Sequence, residues 1–206
     1  MNTILKYFPN LTAEQQRQFQ VIETLYPEWN SKINVISRKD IDNLEVNHLL
    51  HSLGIVKFVK FQPGTHVLDL GTGGGFPAIP LAVLYPDVQF LLVDRVGKKL
   101  KVAQDVADKA GLKNVKIQHG DIKEVKGKYH FVVSRAVMDL AEMVPLVKRL
   151  ISPDNFNAVP NGLICLKGGD LNEEVRKFKD QVLIDELKSY FKEPYFETKK
   201  VVYLPL

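Results

Sequence analysis

Four glycines, Gly71, Gly73, Gly74 and Gly75, stand directly behind the apolar run 66–70 and just ahead of Pro77. Without a β-carbon the chain can turn sharply there and bring its backbone close to a ligand. A carboxylate, Asp69, lies two residues before the first of them, Asp94 closes the next apolar run at 90–93, and Asp121 follows a third at 115–117. An acid at the end of the second strand of such a unit can accept both hydroxyls of a ribose. Each acid alone would serve equally well as a helix cap or a solvated loop residue, whereas three at successive strand ends favour a nucleoside-binding site. The spacing GxGxxG fails at position 76, which is Phe, and no Gly-Lys-Ser/Thr follows the loop. Neither a dinucleotide fingerprint nor a phosphate-binding Walker loop is therefore present.

These residues need a frame, and the surrounding periodicity supplies one. Residues 66–70, 90–93, 115–117, 130–134 and 162–167 read as short buried strands. Residues 77–85, 98–110 and 140–150 read as the helices between them, Pro77 opening the first and Gly111 stopping the second. Residues 171–178, with an extension toward Tyr190, read as helix, and 198–204 as a final strand. Alternation of this kind predicts an α/β fold, a mostly parallel sheet with helices on both faces, and the closing strands can add an antiparallel edge. Ahead of the sheet, residues 11–29 form a helix opened by Thr12, with Phe19, Ile22 and Leu25 on one face and Pro27 interrupting or closing it. A second helical stretch covers about 40–60. The organisation expected is an N-terminal helical cap, residues 1–60, on a main domain, residues 61–206.

Composition bounds the function. The 206 residues suit one domain with an extension. Apolar residues at 45% and charged residues at 25% exclude wholesale disorder. A formal charge of +4 permits a polyanionic partner without demanding one. The single cysteine, Cys165, precludes an internal disulfide; inside the run Leu163-Ile164-Cys165-Leu166 it reads as a buried strand thiol. No stretch approaches the roughly 18 apolar residues of a membrane span, and a cytoplasmic chain without membrane attachment is expected. The histidines are scattered, and His48 with His51 lacks a third ligand, so no metal site is expected.

A nucleoside cofactor without phosphate fits this pattern, and S-adenosylmethionine is one: Asp69 would face its sulfonium and amino acid end, Asp121 would accept from the adenine amino group, and Ile122 would cover a ring face. With these pieces together the chain resembles the glucose-inhibited division protein B family, bacterial small-subunit (16S) ribosomal RNA methyltransferases that modify guanine at N7. The resemblance begins at Trp29-Asn30, Ile33-Asn34 and Ser37-Arg38, continues through His48 and Ser52-Leu53, and is densest over residues 69–82. Asp94 with Lys98-Lys99, residues 112–115, Ser134-Arg135-Ala136 and Lys167-Gly168 complete it. It implies a Rossmann-like methyltransferase fold and S-adenosylmethionine as cofactor. Gly71, Gly73 and Phe76 would line the cofactor pocket, Asp94 would hold the ribose, and Ile122 and Lys123 would adjoin the adenine. Arg135 would approach both cofactor and substrate, with Asn34, His48, Arg135 and Lys167 on the substrate side.

The sequence departs from the family pattern at four places: His51, where Asp is usual, Asp121 and Lys123, where Arg and Glu are usual, and His130, where Asp is usual. Arg135 and Lys167 are expected to bind and orient, with no general base, because guanine N7 carries no proton. Arg95, Lys98, Lys99 and Lys101 open a helix at the ligand end of the sheet and can meet RNA phosphate, and Arg38 and Lys39 can extend that surface. The expected partner is 16S ribosomal RNA or a small-subunit precursor, met by a monomer. Two rivals share the residues: a methyltransferase acting on a small molecule or protein, and an RNA-binding module without activity. A basic concave surface over the methyl site favours RNA, and a closed apolar pocket favours a small molecule.

Overall fold

The computed structural model describes residues 1–135, 138–178 and 180–206. Its seven strands are β1 (His66–Leu70), β2 (Gln89–Asp94), β3 (Val115–His119), β4 (Phe131–Arg135), β5 (Gly162–Gly168), β6 (Leu183–Glu186) and β7 (Lys199–Pro205), ordered β3-β2-β1-β4-β5-β7-β6 in one sheet. The first five strands run parallel; β7 enters antiparallel between β5 and β6. Their carboxyl ends therefore share one edge, and the order reverses between β1 and β4, where open α/β sheets hold their ligands.

Side chains alternate between two apolar layers, as the two-residue period of a strand requires. Val67, Phe131, Val133 and Ile164 join one cluster, and Leu68, Val132, Leu163 and Cys165 the other. The first layer is covered by α3 (His51–Phe58), α4 (Ala78–Leu84) and α5 (Gly97–Ala110), the second by α6 (Leu140–Val147) and the short α7 (Asn172–Val175). The N-terminal helices α1 (Asn2–Tyr7) and α2 (Ala13–Asn30) lie over the first layer, adding Ile4, Phe19, Ile22 and Tyr26 to it.

Local chemistry explains most of the boundaries. Thr12 and Gln15 form a reciprocal capping box that starts α2. Gly111, in the left-handed region at φ 78°, ends α5. Trp29 bonds from its indole N–H to Asp105 at 2.7 Å, fastening α2 to α5, in keeping with an anchor rather than a stacking platform.

Several sequence-based boundaries are corrected. Pro27 neither interrupts nor closes α2, which runs on to Asn30; a proline in the last turn forfeits one ladder bond, and the Ser31 amide still bonds the Pro27 carbonyl. Pro77 caps α4 from outside rather than opening its first turn. The stretch near 40–60 breaks into a 3-10 turn (Ile41–Asn43), a π-helical segment (Glu45–Leu50) and α3. Residues 148–150 tighten from α into a 3-10 turn. The helix expected toward Tyr190 stops early, because Leu183–Glu186 pairs with β7 as the edge strand. Helix α1 has no counterpart in the sequence reading. Ala136 of the Ser134-Arg135-Ala136 match lies outside the described residues.

Candidate active site

Two cavities open at the carboxyl edge. The first, about 270 Å³, is walled by Gly71, Asp94, Gly120, Ile122, Met138 and Leu146. The loop after β1 is tied to β2 twice over: the Gly71 and Thr72 amides bond the Val93 carbonyl, and the Gly73 amide donates to Asp94 Oδ2 at 2.8 Å. Asp94 Oδ1 accepts from the Val96 amide at 2.7 Å, so each carboxylate oxygen keeps lone-pair capacity on the cleft wall. Gly71 and Gly73 have φ of 69° and 57°, and a β-carbon on Gly73 would meet nothing within 4 Å. A flat or branched group can thus lie against the loop. Ile122, 3% exposed, supplies an apolar face. Acceptor, bare backbone and apolar face are the set a ribose and an adenine need, so the residues present fit a nucleoside cofactor.

Asp69 does a different job from the one expected. It is fully buried beneath the loop, where Oδ2 accepts from the Thr72 hydroxyl at 2.8 Å and the Ala78 amide at 3.0 Å. Burial is the largest influence on this carboxyl and pushes its pKa up to about 7, against the two donors that pull it down. A folded-state pKa above the unfolded value gives stability that is complete below the unfolded pKa, about 3.9, and drains away as pH rises through about 7. The stability deficit of Asp69→Asn is accordingly expected to be smaller at pH 8 than at pH 5. Melting curves at both values check this, and a deficit that grows with pH would contradict it.

Phe76 also lies off the first cleft. Its ring packs on Tyr26 at 4.6 Å, on His48 at 5.4 Å and under the Arg135 guanidinium at 4.9 Å between centres, while Tyr26 donates its hydroxyl to the Gly74 carbonyl. The Asp121 side chain is committed, one oxygen to Arg95 and the other to the Lys123 amide at 2.9 Å, which leaves Ile122 rather than Asp121 on the wall. The Lys123 side chain is exposed outside the cleft wall.

The second cavity, about 520 Å³, is lined by Asp40, His48, His51, Arg135, Lys167, Tyr195 and Lys199. Arg135 ends β4, donates to His48 Nδ1 at 2.9 Å, and has no carboxylate within 4 Å among the described residues. Because a guanidinium only donates, His48 Nδ1 must accept and its proton sits on Nε2. Burial, then the neighbouring Arg135 charge, lowers the His48 pKa to about 3 and that of His51 well below its ordinary value, so both rings are neutral. The Tyr195 hydroxyl donates to the Asn47 carbonyl and lies 3.1 Å from His51 Nδ1.

Arg135, His48 and Lys167 therefore come together, as do Gly71, Asp94 and Ile122, but Asn34 and Arg38 do not join them. They line a separate exposed groove beyond the end of α2. Arg95 borders the first cleft, and Lys98 and Lys99 follow it in the opening turn of α5. Asp40, Tyr195, Lys199 and Arg149 escaped the sequence reading. Arg149 donates to the Ile122, Lys123 and Val125 carbonyls at 2.8–3.0 Å and holds the Ile122 wall of the first cleft. No spacing rule links these residues to Arg135; only the return of β7 beside β5 brings Lys199 and Tyr195 near. Among the described residues no cluster of three metal-ligating side chains occurs, and no helix is long and apolar enough to cross a membrane.

A parallel sheet that reverses order at β1 and β4, a glycine loop tied to the acid of β2, and a nucleoside cleft beside a polar cavity define an S-adenosylmethionine-dependent methyltransferase. Solved structures agree on the fold: a SAM-dependent methyltransferase from Aquifex aeolicus superposes with TM-score 0.58 at 18% identity, covering 82% of this chain and 98% of that one. A ribosomal protein L11 methylase from Lactobacillus delbrueckii subsp. bulgaricus gives 0.57 at 19% identity, covering 76% of each chain. The family model GidB, rRNA small subunit methyltransferase G, matches residues 15–201, and the chain belongs to that family. Ribosomal RNA small subunit methyltransferase G of Bacteroides thetaiotaomicron is 58% identical over 203 residues, 98% of each chain. The protein of the same name from Flavobacterium johnsoniae is 54% identical over 206 residues, 100% of this chain and 98% of that one.

Proposed function

We propose that this chain transfers the methyl group of S-adenosylmethionine to N7 of a guanine in 16S ribosomal RNA. The observation that carries the reading is the adjacency, at one sheet edge, of a nucleoside cleft and a polar cavity walled by Arg135, Lys199 and neutral His48. A closed apolar pocket, which would favour a small-molecule acceptor, is not what adjoins the cleft.

When bound, S-adenosylmethionine supplies a methyl group already activated by its sulfonium. Gly71 and Gly73 would give it room, Asp94 would accept from the ribose hydroxyls, and Ile122 would cover the adenine. Guanine N7 attacks with an in-plane lone pair and has no proton to lose, so the chain needs to align the base rather than deprotonate it. No side chain is given the role of general base. Arg135 orients the acceptor through its O6 edge or a neighbouring phosphate, leaving N7 free. Arg95, Lys98 and Lys99 extend a basic rim from the cleft into the first turn of α5, while Arg38 lies in the separate outer groove.

We further propose that the protein acts as a cytoplasmic monomer on a small-subunit precursor. Labelled methyl transfer to small subunits, and to naked 16S RNA, from a strain lacking the gene tests acceptor and chemistry together. N7-methylguanine at a single position is expected. Cofactor binding without transfer to either RNA would sink the assignment.

A further inference from the structure

Lys167 was expected on the substrate side, yet its charge is already spent. Its ammonium lies 2.8 Å from Glu174 Oε1 and donates to the Met138 carbonyl at 2.6 Å, and the two side chains are 10% and 14% exposed. Two of the three ammonium donors are taken, and the charge is matched by Glu174, so an RNA phosphate would meet a neutralised pair rather than a free cation; drawing the lysine fully to the phosphate would strand the largely buried Glu174 carboxylate.

The same Glu174 oxygen accepts the Leu140 amide at 3.0 Å. Leu140 is the first residue of α6, and Asp139 before it makes no side-chain cap. Glu174, reaching across from α7, thus satisfies an amide that a helix start leaves orphaned and sets a negative charge at the positive end of the helix dipole. Met138 and Leu146, on either side of this helix start, wall the cofactor cleft, and beyond Leu146 Arg149 holds Ile122. Lys167 grips the segment by its Met138 carbonyl, Glu174 by its Leu140 amide.

We propose that Lys167 and Glu174 are positioning residues for the cofactor: their buried pair clamps residues 138–140 as one wall of the nucleoside cleft, and Lys167 does not bind RNA. The inference rests on the cofactor reading of that cleft, but not on the identity of the acceptor. Both residues act through Met138 and Leu140 rather than by touching the reacting atoms.

Titration with S-adenosylhomocysteine of the wild type, Lys167→Met, Glu174→Gln and the double variant tests it. Each single variant should weaken binding about tenfold, while the double variant, which orphans no charge and keeps an amide oxygen for Leu140, should bind no worse than either. The slope of RNA affinity against salt should match the wild type in all three. A purely structural role would lower the melting temperature and leave the folded fraction's cofactor affinity unchanged, which overturns the proposal. So would a Lys167→Met salt slope reduced by about one phosphate contact with Glu174→Gln silent, the signature of an RNA-binding lysine.

Hydrogen exchange on the wild type needs no variant: S-adenosylhomocysteine should slow the amides of residues 138–143, and unchanged exchange there counts against the clamp. If the wild type binds S-adenosylhomocysteine but transfers no methyl to ribosomal RNA, the acceptor assignment falls while the clamp is still judged by these readouts.

Discussion

Arg135→Met is expected to slow methyl transfer to RNA by about a hundredfold or more while S-adenosylhomocysteine binding stays within about threefold of wild type. Arg135 lies over Phe76 and donates to His48 Nδ1, so a single side chain shapes the wall of the acceptor cavity and fixes the tautomer of its histidine. Removing it would free the His48 ring to turn and take the donor fork from the place where the proposed function puts the base edge. The cofactor cleft is spared, because among the described residues Arg135 bonds to Asn47 and His48 and not to Gly71, Asp94 or Ile122. Folding should also survive, since no carboxylate within 4 Å among the described residues is orphaned by the loss of charge. Arg135→Lys keeps the charge without the planar fork and should fall between the two. Single-turnover transfer alongside cofactor titration decides the matter; a Met variant with near-wild-type transfer would remove Arg135 from the acceptor site.

Gly75→Ala should instead damage the fold. The backbone there sits at φ 107°, and an added β-carbon would lie 2.3 Å from Ile79 Cδ1, 2.8 Å from Ile79 Cγ1 and 3.2 Å from the Tyr26 hydroxyl. The left-handed conformation costs an L-residue about 1–2 kcal/mol and overpacking of a filled site about 1–3 kcal/mol. Together these are about 3 kcal/mol, which at this chain length lowers the melting temperature by roughly 6–12 °C. Gly73→Ala is the control, for its φ of 57° carries the backbone cost but its β-carbon meets open space. Calorimetry should rank Gly75→Ala well below Gly73→Ala. Equal melting temperatures would mean that Ile79 and Tyr26 do not hold the loop from below.

The glycine loop was legible in the sequence for a reason these two variants expose. Its conformation and its bare backbone are intrinsic to glycine, so the residue type announces the geometry wherever the loop is placed. The strand at 66–70, the helix start at Thr12, and the stop at Gly111 were legible in the same way, each being a local rule satisfied by neighbours within a few residues. The tail was not. Residues 183–186 became a strand because β7 offered an edge to pair with, and no local pattern records that edge.

The same division separates the residues of the two cavities. Position alone brings Gly71, Asp94 and Ile122 to one cleft, because parallel strands deliver their carboxyl ends to a common edge and these residues lie at or just beyond those ends. Side-chain direction was decided only by packing. Asp69, one residue short of the end of β1, points under the loop to the Thr72 hydroxyl and the Ala78 amide; Asp121 is taken by Arg95; and Lys167 turns to Glu174 instead of outward. The sequence by itself determined the α/β class, the nucleoside loop and the strand ends that carry the chemistry, through backbone preferences and apolar periods that act over a few residues. Which charged groups face a ligand and which are consumed in holding the walls was left to the tertiary structure, because a buried charge goes to whichever partner lies within about 3 Å, and that partner can be far away in the chain.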